Sequence, residues 1–485
     1  MNVAELALKS HESGEHVSFI FEGQEITNIQ MDRSARMLGN ALRRLGVNRG
    51  DRVIMQMPNC PEVFQSFQAI WKIGAVAVPI NFQVASEEIA FIYRDCGANT
   101  IITSPEFLEK VDAARKTAPE VKNVIVVAPH VPEGTLSFHQ LVDAASEELE
   151  MVVTDDDEVA ALIYTSGTTG TPKGVMLTHG GLYSTAASQE ATNDLPQDLV
   201  SLAVLPLCHS FGIATMNASF LRLHNKTVIM RSFNLDQLFS NIEKYRINSL
   251  AGVPTMYTYI LNYPDAEKYD ISSMKYWVCG SAPLSLEAWR RFKEKFGGEI
   301  AEGWGLTEAG ANNTSSLHVP RKPGSIGKPQ NNVQMKIVDD DGREVPQGQE
   351  GEIVLKGPMV MKGYWNLPEA TAEVIRDGWL HTGDIGYVDE DGYFFITDRK
   401  KDIIIKGGEN ISPRSIEEVL YEHPAVSEAA VIGVKDPVYG EDIKAFVTLR
   451  PGQTATEEEI KEFCLSRLKR FKTPKEIAII EAFPK

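Results

Sequence analysis

The sequence is poor in cysteine, with five in 485 residues, and no two of them form a Cys-x-x-Cys pair. This scattered, odd-numbered set argues against a disulfide framework and against a zinc site. Long apolar runs are also lacking, since none approaches the roughly 18 residues that a membrane-spanning helix requires. Residues 1–11 contain no basic segment followed by a long apolar stretch. We therefore expect no signal peptide and a soluble, cytoplasmic protein.

Basic residues are in the minority, because 48 Lys and Arg stand against 66 Asp and Glu and give a formal net charge of −18. This balance disfavours nucleic acid and anionic lipid as general partners, since both bind basic surfaces. The hydrophobic content of 43% and the charged content of 24% are ordinary for a globular protein. A chain of this length is too long for one core, so we expect about two to four domains or subdomains.

The first 130 residues alternate between helical and strand-like patterns. Leu38, Ala41, Leu42 and Leu45 recur at helical spacing, and a second apolar stripe of this kind covers 64–71. Strand-like segments lie at 53–57, 75–79, 100–103 and 124–127. Strands that alternate with helices indicate βαβ units and largely parallel sheets. The predicted fold class is therefore α/β.

From about residue 334 the pattern changes. Short apolar stretches at 334–338, 351–355 and 393–397 are separated by Asp-Gly turns, which are typical of hairpins. This pattern predicts a β-rich subdomain at about 334–398. The charged run 398–402 is the best domain boundary, and a small α+β module follows it. In this module we predict helices near 415–421 and 456–470 and strands near 429–434 and 444–449.

Residues 164–174 read Tyr-Thr-Ser-Gly-Thr-Thr-Gly-Thr-Pro-Lys-Gly and follow an apolar, strand-like segment. Small hydroxyl and glycine residues cannot pack a core, but their hydroxyls and backbone N–H groups can surround phosphate oxygens. Lys173 is placed to offset the phosphate charge. The run is not a Walker loop, because Gly174 rather than Ser or Thr follows Lys173. A flexible linker is the alternative, but linkers rarely carry one lysine and lead straight into an apolar segment.

Three further segments combine small residues with groups that contact nucleotides. Residues 303–308 read Gly-Trp-Gly-Leu-Thr-Glu, so a ligand can lie against Trp304 while Glu308 offers a carboxylate to Mg²⁺. Residues 280–283 read Gly-Ser-Ala-Pro and permit the close approach of a flat ring. Asp384, in Thr-Gly-Asp, can accept bonds from both hydroxyls of a ribose. Each segment by itself is also compatible with an ordinary turn.

In this order, the loop and the three segments resemble the motifs of the adenylate-forming superfamily, which comprises acyl-CoA synthetases, peptide-synthetase adenylation domains and firefly-type luciferases. The resemblance covers almost the whole chain. It implies an AMP-binding N-terminal domain (1–398) of two αβ-layered sheets plus the β-rich subdomain, a hinge (399–401) and a small mobile α+β domain (402–485). It further implies an ATP-dependent carboxylate–CoA ligase that forms an acyl-adenylate and releases pyrophosphate and then AMP.

The resemblance also assigns roles to individual residues. Lys173, Thr307 and Glu308 would be catalytic, with Thr307 at the α-phosphate and Glu308 as the Mg²⁺ ligand. Asp384 and Arg399 would bind the ribose, and Trp304 stands where the family usually has Tyr against the adenine. The full set implied for ATP or AMP is Thr165, Ser166, Gly167, Thr168, Thr169, Gly170, Lys173, Gly280, Ser281, Ala282, Pro283, Glu302, Gly303, Trp304, Gly305, Thr307, Asp384, Ile396 and Arg399.

By the same resemblance, the C-terminal domain would rotate about Lys401 between an adenylation pose and a thioester-forming pose. His209 would gate the acyl pocket, and no base is needed from it because a carboxylate is already ionised at pH 7. The residues implied for the acyl pocket are His209, Phe211, Gly212, Gly305, Ala309 and Gly310. Those implied for coenzyme A are Lys406, Gly407, Gly408, Lys472 and Lys475, although the two glycines could equally form a plain β-turn and the last two lysines could be solvated.

One departure from the family concerns its catalytic lysine, which lies in a Pro-Lys-Thr-x-x-Gly-Lys segment. The sequence ends at Phe483-Pro484-Lys485, about where that segment would begin. Lys485 matches the first lysine of the motif and is not assigned the catalytic role. By family logic, loss of the expected lysine should damage adenylation far more than thioester formation.

Small residues near Trp304 and Glu308 indicate the size of the acyl group. Gly305 follows Trp304 where short-chain acetyl-CoA synthetases carry a second Trp that closes the pocket, and Ala309, Gly310 and Ala311 also leave space. We therefore expect a medium or long fatty acid or an aryl or cycloalkyl carboxylate. Alternatives are an adenylation domain that charges a carrier protein, although no Asp stands at 208–212 to hold a substrate amine, luciferase-like oxygenation, and a non-catalytic adenylate-binding protein. The sequence also leaves open whether the protein forms a homodimer.

Overall fold

A computed structural model describes residues 1–81, 84–165, 171–311, 313–317 and 319–483 of the chain. These residues form four β-sheets with helices between and around them. The helices are α1 (Leu6–Lys9), α2 (Asn28–Arg44), α3 (Pro61–Lys72), α4 (Ser86–Cys96), α5 (Leu108–Arg115), α6 (Phe138–Asp143), α7 (His179–Asn193), α8 (Ser210–Phe220), α9 (Leu235–Tyr245), α10 (Pro254–Asn262), α11 (Leu286–Phe296), α12 (Pro368–Val374), α13 (Pro413–Tyr421) and α14 (Glu457–Leu465). Short 3-10 helices lie at Val3–Glu5, Ser10–Ser13, Pro105–Phe107, Ala266–Lys268, Thr307–Ala309 and Arg470–Lys472.

The first sheet brings two of the predicted nucleotide segments together. Its strand order is β14 (Ile300–Glu302), β13 (Tyr276–Cys279), β12 (Ser249–Gly252), β10 (Val200–Ala203), β11 (Lys226–Ile229), β1 (Val17–Phe21) and β2 (Gln24–Thr27). All neighbours are parallel except β1 and β2. Cys279 at the end of β13 lies opposite Glu302 at the end of β14. The segments that follow, 280–283 and 303–308, therefore leave the same carboxyl edge side by side.

The second sheet carries the predicted phosphate loop. Its order is β19 (Gly363–Tyr364), β9 (Lys173–Thr178), β8 (Val159–Thr165), β4 (Val76–Pro79), β3 (Arg52–Gln56), β5 (Thr100–Thr103), β6 (Asn123–Val126) and β7 (Leu136–Ser137). The strands from β8 to β7 are parallel, and β9 is antiparallel to β8. Helices α2, α3, α7 and α8 share one large buried cluster with strands of both sheets. The prediction of an α/β fold with largely parallel sheets is confirmed.

The third sheet is antiparallel, as the Asp-Gly turns predict. Its order is β15 (Thr314–Ser315), β16 (Ser325–Pro329), β22 (Phe394–Arg399), β21 (Trp379–Val388), β18 (Gly351–Lys356) and β17 (Gln334–Val338), with β20 (Ile375–Arg376) paired to β21. Gly342 and Gly392 have φ of 78° and 80°, a left-handed conformation that glycine tolerates in such turns. Asp384 on β21 lies opposite Arg399 on β22. Strand pairing thus brings the two predicted ribose ligands together.

The C-terminal module is built on a fourth sheet, with the order β24 (Glu409–Ile411), β23 (Ile404–Lys406), β26 (Gly440–Leu449) and β25 (Val426–Asp436), and with β27 (Glu476–Ile479) paired to β26. The helix predicted near 456–470 is shorter than expected, because α14 ends at Leu465. The amides of Arg467 and Leu468 both bond to the Cys464 carbonyl oxygen, at 3.1 and 2.8 Å. This turn lets Leu468 pack against the core of the module.

Helix α13 connects the C-terminal module to the rest of the protein. The hydroxyl of Ser412, at its N-cap, donates to the Thr397 carbonyl oxygen at 2.9 Å, and Arg414 donates to the Ile396 carbonyl oxygen. Across the interface, the Leu286 N–H at the start of α11 donates to the Glu418 carboxylate at 3.3 Å. The module is therefore docked on α11 and β22 by hydrogen bonds.

Glu302 lies close to this interface. Its carboxylate accepts a hydrogen bond from the Leu284 N–H at 3.3 Å. Burial raises the pKa of Glu302 to about 7, an effect that the Leu284 N–H and the Arg414 guanidinium oppose and the nearby Glu418 carboxylate reinforces. Because a Glu in an unfolded chain has a pKa of about 4.3, the folded protein binds this proton more tightly.

We predict that Glu302 contributes a pH dependence to stability that Glu302→Gln removes. As the pH rises from about 4.3 towards the folded-state pKa, the unfolded chain loses the Glu302 proton first, so the free energy of unfolding of the wild type falls. The slope is at most about 1.4 kcal/mol per pH unit for one proton. Gln keeps an oxygen for the Leu284 N–H, so we expect the free energy of unfolding of the variant, measured by urea denaturation, to rise relative to that of the wild type up to about pH 7. Above about pH 7, the difference between the two free energies should be constant. A difference independent of pH below 7 would contradict this assignment.

Candidate active site

Strands β8 and β9 form an antiparallel hairpin, and the predicted phosphate loop lies between them in the sequence. Thr165 at the end of β8 pairs with Lys173 at the start of β9. A Walker loop instead connects a strand to a helix, so the geometry separates the two kinds of phosphate site. Five of the predicted phosphate ligands lie outside the described residues and stay predictions: Ser166, Gly167, Thr168, Thr169 and Gly170.

Two aromatic side chains fix the base of this hairpin on Asp95. Tyr164 Oη donates to the Asp95 carboxylate at 2.5 Å, and Trp365 Nε1 donates to the Asp95 carbonyl oxygen at 3.0 Å. Gly174 lies between the rings, because a Cβ there would come within 3.1 Å of Tyr164 and 3.2 Å of Trp365. The close packing leaves little room for a side chain at 174 and fixes the neighbouring Lys173 backbone.

Lys173 and Glu308 meet at Tyr364. The Tyr364 hydroxyl donates to Glu308 Oε1 at 2.9 Å, and Lys173 Nζ lies 5.1 Å from the centre of the Tyr364 ring. Tyr364 belongs to β19, which pairs with β9, and the Met361 N–H donates to the Glu308 carbonyl oxygen at 2.7 Å. Segment 361–364 therefore holds the lysine of the phosphate loop and the predicted metal ligand in one cluster.

The start of α8 lies against both nucleotide segments of the first sheet. The hydroxyls of Ser210 and Thr307 are 3.0 Å apart. A Cβ on Gly280 would lie 3.3 Å from the Gly303 carbonyl oxygen and from the ring of Phe211, so these three residues are in close contact. The turn at 280–283, the segment 303–308 and the first turn of α8 thus form one surface, at whose edge lie the exposed Ser281, Ala282 and Pro283.

One buried carboxylate links three predicted motifs. Asp384 is 5% exposed and accepts hydrogen bonds from Trp304 Nε1 at 2.9 Å and from Arg399 Nε at 2.7 Å. Burial raises the pKa of Asp384, and these two donors oppose that rise. Because a carboxylate has about four acceptor positions, the oxygens can still accept further hydroxyl donors such as those of a ribose. Ile396 lies on the adjacent strand β22.

The residues present suit a metal held together with its substrate. Mg²⁺ at nucleotide sites is commonly bound by one or two carboxylates plus substrate phosphates. Glu308 supplies such a carboxylate, with one oxygen oriented by Tyr364 and with Lys173 nearby. In the part of the chain that the structure describes, no group of three or more His, Cys, Asp or Glu side chains suited to a metal occurs. A site with one carboxylate fits Mg²⁺ that arrives with ATP.

A cavity of about 110 Å³ opens beside this surface and follows α8. Small side chains of two paired strands form its floor, namely Ser201 and Ala203 on β10 and Ser249 and Ala251 on β12. Apolar side chains such as Phe64, Leu207, Phe211 and Met216 form its walls, and Glu302 and Gly303 line it too. The cavity is therefore a candidate acyl pocket next to the nucleotide segments.

The predicted acyl-pocket residues do not all line this cavity. Phe211 lies on the cavity wall, whereas His209 caps α8 through a 3.4 Å bond from the Phe211 N–H to its Nδ1. Burial lowers the pKa of His209 and favours the neutral imidazole. Gly212 and Gly310 allow close packing instead, because a Cβ would collide with the Pro206 carbonyl oxygen or with the Thr185 hydroxyl. Ala309 is fully buried beside Gly310, and Gly305 follows Trp304 in the nucleotide segment.

The lysines predicted at coenzyme A lie on the C-terminal module, and two of them are engaged in ion pairs. Lys406 pairs with the buried Asp442, and Lys475 Nζ lies 2.8 Å from the Asp436 carboxylate. Lys472 lies in a short 3-10 helix. Binding of coenzyme A phosphates by Lys406 or Lys475 therefore requires exchange of an existing partner, and these roles stay predictions.

The two glycines predicted at coenzyme A form the turn between β23 and β24. Gly407 and Gly408 have φ of 59° and 86°, and Lys406 pairs with Glu409 around them. Two residues with positive φ between antiparallel strands are typical of a type I′ hairpin. The predicted hinge residue, Lys401, is exposed just after β22. Its role as a hinge stays a prediction.

Sequence analysis missed several residues that organise the site. Tyr364 orients Glu308, Ser210 contacts Thr307, and Asp95 anchors the phosphate hairpin. Each acts on a motif far away in the sequence, so no local pattern identifies it. Asp95 is a charged residue near the end of a helix, and such residues are too common to identify a functional site.

The protein was then compared with known families. Residues 6–365 match the AMP-binding enzyme family, and residues 415–485 match the AMP-binding enzyme C-terminal domain. No helix within the described ranges is long and apolar enough to cross a bilayer.

Two similar proteins and one solved structure have CoA ligase or synthase names. A feruloyl-CoA synthase from Amycolatopsis sp is 39% identical over 95% of this chain and 91% of its own length. A long-chain-fatty-acid–CoA ligase from Bacillus subtilis (strain 168) is 36% identical over 96% of this chain and 88% of its own length. The crystal structure of an anthranilate CoA ligase in complex with anthranoyl-AMP has a TM-score of 0.95 and 30% identity, and covers 100% of this chain and 94% of that chain.

The match over 6–365 spans the phosphate hairpin, the segments 280–283 and 303–308 and the candidate acyl pocket, and the similar proteins are named as a CoA synthase and a CoA ligase. The superfamily predicted from the motifs is therefore confirmed. The chain belongs to the AMP-binding enzyme family and is an AMP-forming acyl-CoA synthetase of the adenylate-forming superfamily, with ATP, Mg²⁺ and coenzyme A as its small-molecule partners.

Proposed function

We propose that this acyl-CoA synthetase activates an aryl carboxylate. The observation that carries the proposal is the volume and lining of the cavity along α8. The small side chains of Ser201, Ala203, Ser249 and Ala251 line it together with Phe211. The volume of about 110 Å³ is comparable with the roughly 150 Å³ of an engineered cavity that holds benzene. The cavity therefore suits one aromatic ring better than a long alkyl chain.

The names of the similar proteins support the same class of substrate. Feruloyl-CoA synthase and anthranilate CoA ligase are named for aromatic acids. The relative from Bacillus subtilis is named for long-chain fatty acids, so an alkyl acid is the comparison that the test must contain.

In the first step, an oxygen of the substrate carboxylate attacks the α-phosphorus of ATP, and the bond to pyrophosphate breaks. Lys173 and the Thr307 hydroxyl donate to phosphate oxygens, while Asp384 accepts the ribose hydroxyls and Arg399 favours its ionised form. Glu308 is the residue that would hold Mg²⁺, which supplies charge neutralisation at the phosphates. Catalysis in this step is positioning together with charge neutralisation, and no general base is needed.

In the second step, the sulfur of coenzyme A attacks the carbonyl carbon of the acyl-adenylate, and the bond to the AMP phosphate breaks. Rotation of the C-terminal module about Lys401 switches the enzyme from the adenylation pose to the thioester-forming pose. Burial lowers the pKa of His209, which favours the neutral imidazole. Its place at the start of α8, beside Phe211, suits a gate at the entrance of the acyl pocket.

We predict that Tyr364→Phe lowers the rate of pyrophosphate release about 10- to 100-fold, because a hydrogen bond to a charged group contributes about 1.5–3 kcal/mol. The loss acts through Glu308, so higher Mg²⁺ concentrations should restore part of the rate. The assay is ATP- and acid-dependent pyrophosphate release at several Mg²⁺ concentrations. Tyr387→Phe is the matched control, because Tyr387 stacks on Phe395 in the third sheet with ring centres 4.9 Å apart. An unchanged rate for Tyr364→Phe would contradict the proposal that Tyr364 orients Glu308 for Mg²⁺.

The substrate class is tested by release of AMP and pyrophosphate with ferulate, anthranilate, hexanoate, palmitate and acetate, each with and without coenzyme A. We expect coenzyme A-dependent AMP release, with kcat/KM for an aromatic acid at least about ten-fold above that for any alkyl acid. A second arm supplies a synthetic aryl-adenylate and coenzyme A, and so measures thioester formation alone.

Turnover confined to acetate, hexanoate or palmitate would overturn the aryl assignment. Pyrophosphate release that does not lead to thioester formation in either arm would favour a carrier protein as the acceptor. Binding of ATP without either reaction would favour a non-catalytic adenylate-binding protein.

A further inference from the structure

Strands β8, β9 and β19 meet at one level beside the phosphate hairpin. Tyr164 on β8 pairs with Gly174 on β9, and the Trp365 N–H, just after β19, donates to the Gly174 carbonyl oxygen at 2.7 Å. The side chains of Tyr164 and Trp365 pack over Gly174, where an added Cβ would lie 3.1 and 3.2 Å from them. These two aromatic side chains therefore join three strands at the base of the hairpin.

Asp95, near the end of α4, binds both of these aromatic side chains. Its carboxylate accepts a hydrogen bond from Tyr164 Oη at 2.5 Å, and its carbonyl oxygen accepts one from Trp365 Nε1 at 3.0 Å. Burial and the Asp95 carboxylate together raise the pKa of Tyr164, so the phenol keeps its proton and donates. A hydrogen bond to a charged acceptor is roughly twice as strong as one between neutral groups. Asp95 is therefore the point at which β8 and the segment after β19 are held together.

Arg52 in turn ties the end of α4 to the middle of the second sheet. Its Nε donates to the Cys96 carbonyl oxygen at 2.6 Å, and its guanidinium also donates to the Gly97 carbonyl oxygen at 3.2 Å. The guanidinium carbon lies 5.7 Å from the centre of the Trp365 ring, within the range of a cation–π contact. Arg52 begins β3, two strands away from β8. The position of Asp95 is therefore set by the body of the sheet.

The segments that Asp95 joins carry the groups that act on ATP in the proposed first step. Lys173 directly precedes Gly174 on β9. Tyr364, whose hydroxyl donates to Glu308 and whose ring lies beside Lys173 Nζ, belongs to β19. The spacing between the lysine and the metal carboxylate therefore depends on how β9 and β19 are held. A misplacement of about 1 Å caused by a change remote from the reacting atoms can cost about 100-fold in rate.

We propose that Asp95 is a positioning residue for the adenylation step. Through Tyr164 it fixes the hairpin that carries Lys173, and through Trp365 it fixes the segment that carries Tyr364. The inference rests on the first step as proposed above and holds for any carboxylate substrate. The thioester step begins after pyrophosphate has left, so it does not need the same spacing between the lysine and the metal carboxylate. Loss of the Asp95 contacts should therefore slow the first step and spare the second.

The test is the ratio of two rates measured on one preparation. The first is ATP- and acid-dependent pyrophosphate release, with the acid that gives the highest kcat/KM in the substrate panel. The second is thioester formation from the synthetic adenylate of that acid and coenzyme A. We expect Tyr164→Phe and Asp95→Leu each to lower the ratio of the first rate to the second about ten-fold or more. A partly unfolded preparation lowers both rates equally, so it does not alter the ratio.

Two further variants separate the Tyr164–Asp95 bond from other effects of the substitutions. Asp95→Asn keeps an oxygen that can accept from Tyr164, so its ratio should lie between that of Asp95→Leu and that of the wild type. The double variant Tyr164→Phe/Asp95→Leu should be no slower in pyrophosphate release than the slower single variant, because both changes remove the same bond. Losses that multiply in the double variant would show that the two residues act independently and would contradict the proposal.

Tyr263→Phe is the matched control. Tyr263 also donates to a carboxylate, that of Asp236 on α9, but it follows α10 beside the first sheet and belongs to none of the nucleotide segments. We expect this variant to keep the ratio of the wild type. A fall in the ratio as large as that of Tyr164→Phe would show that loss of any such bond slows adenylation, and would overturn the specific role of Asp95.

Lys173→Met and Glu308→Gln distinguish failure of this inference from failure of the proposed first step. Pyrophosphate release that falls in these two variants, together with an unchanged ratio in Tyr164→Phe and Asp95→Leu, would overturn the positioning role of Asp95 and leave the first step as proposed. Pyrophosphate release that is unchanged in both Lys173→Met and Glu308→Gln would overturn the proposed first step itself.

Discussion

The rest of the candidate site depends on one buried carboxylate, that of Asp384. A buried charge is costly unless its oxygens are hydrogen-bonded, and Asp384 meets this condition through Trp304 and Arg399. Trp304 follows a strand of the first sheet, whereas Asp384 and Arg399 lie on paired strands of the third. Separation of the two sheets would remove the Trp304 donor and leave Arg399 as the remaining partner of the buried charge. The Trp304–Asp384 hydrogen bond therefore holds the nucleotide segment 303–308 against the predicted ribose ligands, because breaking it would take a donor away from a buried charge.

A second link joins the phosphate hairpin to the same place. The short strand β19 pairs with β9, and from it Tyr364 reaches Glu308, which follows a strand of the first sheet. Lys173 lies over the same ring. The three sheets thus contribute a lysine, a carboxylate with its orienting phenol, and the Asp–Arg pair to one region. Positioned charges of this kind can stabilise a reacting phosphate without reorganising during the reaction.

Local patterns predicted the parts of the fold and site that are local in the sequence. The alternation of helices and strands predicted the α/β class, and Asp-Gly turns predicted the antiparallel sheet. In both cases the pattern and the structure that it predicts involve residues close together in the sequence. The motifs that contain Lys173, Glu308 and Asp384 are also local in the sequence, and the roles of these residues stay predictions. Tyr364 and Asp95 were missed because their contacts depend on which strands pair and on how distant helices pack. The C-terminal helix was predicted too long for a similar reason, since Leu468 packs against the core of its module through a turn that follows α14.

Discrimination by the acyl pocket follows from how much of a ligand the cavity can cover. Burial of apolar surface contributes about 0.8 kcal/mol per methylene, so each methylene that fits along the walls formed by Leu207 and Met216 adds affinity. The cavity volume of about 110 Å³ limits this gain, because methylenes that lie outside the cavity stay in water. One aromatic ring fits within such a volume, so the cavity favours a ring over a long alkyl chain.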